Sequence, residues 1–168
     1  MKEVLSLQCP YKVTLDTSRN SYQFITSGGA SYEVLFSLSN EILTGTDLES
    51  ADVYHVVVGK TSHGDGIRDM NISLTVDAII DHFFLIKNRL FFYICDPTDG
   101  RHLARFRMFN MWHSKSQFKE RFIKLDFQIH DADTIYYACF IFDKQNDLGV
   151  DKIVTALNEV RQVLQDAK

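Results

Sequence analysis

The stretch YQFITSGGASYEVLF, residues 22–36, decides the architecture. Tyr22, Phe24 and Thr26 alternate with Gln23 and Ile25, and Tyr32, Val34, Phe36 and then Leu38 alternate with Glu33, Leu35 and Ser37. A period of two places successive side chains on opposite faces of a strand. Between the two runs stands Ser-Gly-Gly-Ala, residues 27–30, where glycine takes positive φ at no steric cost. Two strands joined this way form an antiparallel hairpin, and a hairpin near the start of the chain favours a meander.

Outward from it, the same signals recur. Tyr11–Asp16 alternates weakly and is followed by a turn at 17–20. After a polar loop, Asn40–Asp52, the run Val53–Lys60 holds three consecutive valines, Val56–Val58, which predicts burial on both faces. Residues 61–69 read as loop. Thr75, followed by Val76 and Asp77, predicts a helix N-cap, with the helix running to about Asn88. Its buried face would hold Val76, Ile79, Ile80, Phe83, Phe84 and Ile86, with Asp77, Asp81 and His82 turned to water. Leu90–Cys95 is an aromatic strand ending at Asp-Pro-Thr-Asp-Gly, 96–100, where Gly100 permits a left-handed exit. A second helix follows from Arg101 to about His113. Phe122–Ile129 and Thr134–Phe142 flank His-Asp-Ala-Asp, 130–133, as a second hairpin. The strand at 134–142 is apolar on both faces, so it is either central in the sheet or covered by a partner. The last helix runs from about Gly149 to Asp166 on a stripe of Val150, Ile153, Val154, Leu157, Val160 and Leu164. This order predicts an α+β fold over a single domain, residues 1–168: a mostly antiparallel sheet of about seven strands with about three helices packed on one face. The helix between 53–60 and 90–95 marks the one place for a parallel crossover.

Several classes are set aside by what is missing from the sequence. No run of eighteen apolar residues occurs, so no membrane helix is expected. Met1–Cys9 is too short and polar for a signal peptide. Cys9, Cys95 and Cys139 are odd in number and lack paired spacing, which favours a reduced, cytoplasmic setting. The histidines at 55, 63, 82, 102, 113 and 130 show no ligand spacing, and no cofactor fingerprint is present, so neither a metal nor a cofactor is expected. The segment His-Gly-Asp-Gly, 63–66, reads as a solvent-exposed connection before a ligand loop.

Charge gives the one hint of a ligand. Between Arg101 and Lys124 lie seven basic residues and one acid, a local +6 in a chain of net −4, so the remainder carries −10. Arg101 and Arg105 at the start of the second helix could clamp a phosphate or carboxylate, with His102, Arg107 and Trp112 on adjoining positions. The competing reading spends these cations internally, with Asp96 and Asp99 capping the helix and Asp99 pairing to Arg101 or Arg105. Phe106, Phe109 and Trp112 interleave the cations as stacking platforms do, yet they also fall at core spacing. A pI near 5.8 disfavours nucleic acid as the partner. Cys95 closes a strand before a helix carrying His102, a placement in which nucleophiles are sometimes displayed, though no hydrolase signature surrounds it.

Residues 22–36 together with DGRHLARFRMFNMW, 99–112, resemble a family of small uncharacterised proteins from Bacteroidetes. The resemblance spans most of the chain; it implies a bacterial, cytoplasmic origin and brings no activity and no site. The sequence therefore favours a non-catalytic binding or protein-interaction module that meets an acidic protein or small anion through its Arg-rich helix. An enzyme acting on a phosphorylated or nucleotide-like substrate, using His102 with Asp99 or Cys95, is the alternative, and a nucleic-acid-binding protein the next. A homodimer through an edge strand or the last helix is also expected, from the apolar hairpin at 134–142.

Overall fold

A computed structural model describes residues 1–63 and 69–166. Of the segment 63–66, Gly64, Asp65 and Gly66 lie outside the described residues. Eight strands form a mostly antiparallel sheet: β1 (Lys2–Leu5), β2 (Val13–Asp16), β3 (Ser21–Ile25), β4 (Ser31–Leu38), β5 (Val53–Lys60), β6 (Leu90–Cys95), β7 (Phe122–Asp131) and β8 (Thr134–Asp143). Three α-helices accompany them, α1 (Met70–Phe83), α2 (His102–Lys115) and α3 (Val150–Asp166). The sheet order is β1-β2-β3-β4-β5-β6-β8-β7, so the α+β reading holds with one strand more than expected. The extra strand is β1, four largely exposed residues paired only to β2, too short and too polar to show a period.

The chain divides into two compact units, Met1–Ser37 with His55–Leu85, and Leu38–Tyr54 with Ile86–Lys168. In the first, β1 to β4 form an antiparallel meander, and the glycine hairpin pairs Ile25 with Ser31 around Gly29 at φ +81°. Thr26 closes that turn by accepting the Ala30 N–H on its hydroxyl at 3.1 Å. Helix α1 starts at Asp69 and not at Thr75: the Asp69 carboxylate accepts the Asn71 N–H at 2.9 Å and also accepts a hydrogen bond from the Tyr11 hydroxyl. Thr75 is buried within the helix and its hydroxyl donates to the Asn71 carbonyl at 2.8 Å. The helix stops at Phe83, leaving Ile86 exposed. His82 does not face water freely, because its Nδ1 shares a hydrogen bond of 3.1 Å with the Tyr22 hydroxyl and its ring meets Tyr22 edge-on. The three valines of β5 are not buried on both faces either, since Val56 is buried while Val57 is 47% exposed.

The second unit carries the candidate site. Strand β8 lies between β6 and β7, with Tyr93 opposite Cys139 and Cys139 opposite Asp126 across one rung. Neighbouring residues on a strand face opposite ways, and here the two sides carry different helices. Phe92, Ala138, Phe140 and Phe127 join Ile153, Ala156, Leu157 and Val160 of α3 in one buried cluster. Tyr93 and Tyr137, one residue away in each strand, instead pack against Phe109 and Phe106 of α2. The helices therefore occupy both faces of this unit, not one. That arrangement explains the two-sided apolarity of β8, which is central in the sheet. Leu90 N–H donates to the Asp52 carbonyl at 3.0 Å, so β6 begins beside the start of β5, as the crossover predicts.

Candidate functional site

The turn before α2 is built by its own acids. Asp96 accepts the Thr98 N–H at 2.8 Å and the Thr98 hydroxyl, an Asx-type turn, and Gly100 exits it at φ +70°. Asp99 accepts the Arg101 N–H at 3.0 Å, which satisfies one of the open donors at the helix start. The Arg105 guanidinium then folds back onto this turn. One nitrogen donates to Asp99 Oδ1 at 2.9 Å and to the Asp96 carbonyl at 3.1 Å, and the other to Asp99 Oδ2. Both carboxyls are held below their ordinary range, that of Asp99 chiefly by Arg105 and that of Asp96 chiefly by the Thr98 hydroxyl. Arg105 is thus committed to a fork-shaped internal pair.

The other named residues separate into two sides of the helix. His102 lies flat on Tyr137 with ring centroids 5.6 Å apart, beside Phe106 at 5.0 Å on the same tyrosine. Trp112 meets Phe109 edge-on at 5.5 Å, and Phe109 packs on Tyr93 at 4.9 Å. These rings form the sheet-facing side. Arg101 and Arg107 are on the exposed side, with Met108, Met111 and Lys115. Elsewhere in the basic segment, Arg121 Nε donates to Asp143 at 2.7 Å, while Lys124 pairs with Asp126 and lies 5.5 Å from the Phe106 ring centre. Among the described residues, Arg107, Lys115 and Lys119 have no ion pair, and Arg101 has only the nearby charge of Asp99.

Beneath α2 the packing is polar as well as aromatic. The Tyr93 hydroxyl, His102 Nδ1, Asn110 Oδ1 and His113 Nε2 are buried without a hydrogen-bond partner of good geometry among the described residues. Tyr93 and Asp126 carry no motif; only the register of three strands sets them on either side of Cys139 and brings Asp126 within electrostatic reach of His113. Burial pushes the Tyr93 hydroxyl far above its usual pKa and the Cys139 thiol up to about 12. Burial also raises the Cys95 thiol, against the opposing pull of Arg105 and Lys124, so Cys95 stays protonated near neutral pH. Asp99 is spent on Arg105. The groups that an enzyme reading would use are therefore a protonated thiol, a stacked imidazole and a paired carboxylate. A concavity of about 240 Å³ is lined by Asp47, Asp151, Lys152, Thr155, Ala156 and Glu159, on the α3 side, and none of the five named residues lines it. No group of three or more His, Cys, Asp or Glu side chains among the described residues is placed to hold a metal ion.

His113 gives this face a pH dependence. Its pKa lies below 6.5, first because it is desolvated and next because Lys124 and Lys119 oppose its protonation more than Asp126 favours it. The folded state thus resists a proton that the unfolded chain accepts near pH 6.5. The contribution of His113 to stability is complete above that pH and is lost as the pH falls through the lower folded value. Trp112, the single tryptophan, sits next to His113 on the same helix. Its emission should shift to the red between pH 7 and pH 5 as α2 loosens, and His113→Gln should flatten that shift.

No curated protein matches the chain. The model of a family of unknown function, DUF6169, matches residues 68–159, which hold α1, β6, α2, β7, β8 and most of α3. With that match covering more than half of its length, the chain belongs to this family.

Proposed function

We propose that the protein is a non-catalytic binding module whose α2 receives an acidic segment of a partner protein. One observation carries the reading: the exposed side of α2 sets Arg101, Arg107 and Lys115 beside Met108 and Met111, which are 36% and 47% exposed. Cations at helical spacing around two flexible, polarisable side chains suit an acidic chain with an occasional apolar residue. Of the five residues first singled out, Arg101 and Arg107 make this contact. His102 and Trp112 support the helix from below, and Arg105 holds its first turn against Asp99. A setting in the reducing interior of a bacterial cell fits three unpaired cysteines, two of them buried.

The test uses a fluorescein-labelled peptide of Glu-Glu-Leu repeats, followed by anisotropy and by Trp112 emission. Binding should appear at low salt and weaken as salt is added. Arg107→Glu combined with Lys115→Glu should weaken it about tenfold, since each exposed charge contributes only a few tenths to about 1 kcal/mol. Equal binding by the double variant, or none by the native protein at low salt, would overturn the proposal. Duplex DNA is the comparison probe: three phosphate contacts would give a log–log salt slope near about −2.7, and DNA binding with that slope would replace the acidic peptide by nucleic acid.

A further inference from the structure

The two ends of the sheet differ in kind. At one end β1 has four residues, and a short exposed edge does not readily accept another strand. At the other end β7 has ten residues, paired with β8 along its length and with no strand beyond it among the described residues. A long open edge offers a row of backbone donors and acceptors to any strand that fits.

The side chains of β7 fit their own copy. We infer that β7 pairs antiparallel with β7 of a second copy of this chain, about a two-fold axis through Leu125. An axis perpendicular to the sheet keeps each face on its own side, so residues placed opposite must share parity. Centred on Leu125, Lys124 lies opposite Asp126 of the second copy, and Asp126 opposite its Lys124. On the other face Ile123 meets Phe127 and Leu125 meets Leu125. Moving the centre by one residue sets Lys124 against Lys124 or Asp126 against Asp126, and like charges directly opposite destabilise a strand pair. Charge therefore selects one register from its neighbours.

Three further observations agree. Ile123 and Leu125 are only partly buried at the margin of the α3 cluster, so a second copy would extend that apolar row. On α3 itself Leu164 continues the stripe of Ile153, Leu157 and Val160 but is 37% exposed, and Val163 beside it is 67% exposed. The Asp126 side chain is 44% exposed although paired with its own Lys124, which leaves acceptor capacity for a cation from across the axis. This surface is separate from the exposed side of α2, so either proposal can fail without the other.

Sedimentation equilibrium at micromolar concentration should give twice 19.4 kDa. Under oxidised glutathione, Leu125→Cys should cross-link to a dimer while Ile123→Cys and the native protein do not, because opposite residues in an antiparallel pair have Cα atoms about 4.5–5.5 Å apart, within disulfide reach. Asp126→Lys and Lys124→Asp should each weaken self-association by roughly tenfold or more. Mixed together, the two variants should associate again, since each then supplies the charge that the other lacks. A monomeric native protein, cross-linking through position 123 but not 125, or association indifferent to Asp126→Lys would overturn the inference. Circular dichroism of each variant separates lost pairing from lost folding; if Lys124→Asp fails to fold, the Leu125→Cys and Ile123→Cys comparison still decides.

Discussion

Phe83→Ala should lower the unfolding free energy of its unit by about 4 kcal/mol, within the range for truncating a buried phenylalanine. The side chain is fully buried at the last turn of α1. Its ring lies nearly parallel to Phe36 with centroids 3.9 Å apart, and Phe84 meets it edge-on at 5.2 Å. Removing it takes away the transferred apolar area and leaves a hole framed by two rings that cannot collapse without leaving their own contacts. Urea titration followed by far-ultraviolet circular dichroism measures the loss, and an unchanged dependence on urea would show that the unfolded state is not responsible. Phe83→Leu, which keeps most of the volume, should cost about 1–1.5 kcal/mol. A loss below about 1 kcal/mol for the alanine variant would mean that the ring is not part of a packed interior.

Asp143→Ala should cost about 3 kcal/mol, for a different reason. Asp143 ends β8 with no exposed surface, receives Arg121 Nε at 2.7 Å on one carboxylate oxygen and the Gln145 N–H at 2.7 Å on the other. Its backbone carbonyl also accepts the Asn146 N–H at 3.0 Å, so one residue organises the turn towards α3. Deletion of the carboxylate removes the acceptor of the part-buried Gln145 N–H and takes a buried charged partner from the Arg121 guanidinium. Breaking a buried pair from one side costs about 3–5 kcal/mol, and the lower end applies because solvent reaches Arg121. Asp143→Asn keeps an acceptor for Gln145 and should lose about half as much. Thermal melts read through Trp112 give the comparison; equal stability of the alanine variant would remove Asp143 from this role.

The parts of the fold that were legible in the sequence are those whose cause is local. Gly28 and Gly29 define the first hairpin, the two-residue turn at Ala132 and Asp133 the second, and the stripe of α3 appears in its own spacing. The start of α1 was not legible because Asp69 and Thr75 are both good caps, and what separates them is the Tyr11 hydroxyl, 58 residues from Asp69. The side of the sheet that each helix covers is also non-local: α2 has no fully buried residue, so its spacing does not announce which face it takes. The same division applies to the candidate site. Asp99 with Arg105 is six residues apart and could be anticipated as a cap, whereas Arg121 with Asp143 is 22 apart and depends on the β7–β8 register. Sequence therefore located the positive charge, and the strand register determined how much of it was left over.

The position of β8 between β6 and β7 also imposes an order on synthesis. The β7–β8 ladder closes through a two-residue turn, but Leu90 must wait for Phe142 and Cys95 for Tyr137. On a ribosome adding roughly 5–20 residues per second, the stretch Leu-Phe-Phe-Tyr-Ile-Cys emerges about 2–10 s before β8, the second of its two neighbours in the sheet, is made. Six apolar residues with strong strand propensity and no charge are a typical seed for intermolecular aggregation. Overproduction of the chain should thus be limited by this interval, and slower translation without chaperone cover should increase the insoluble fraction.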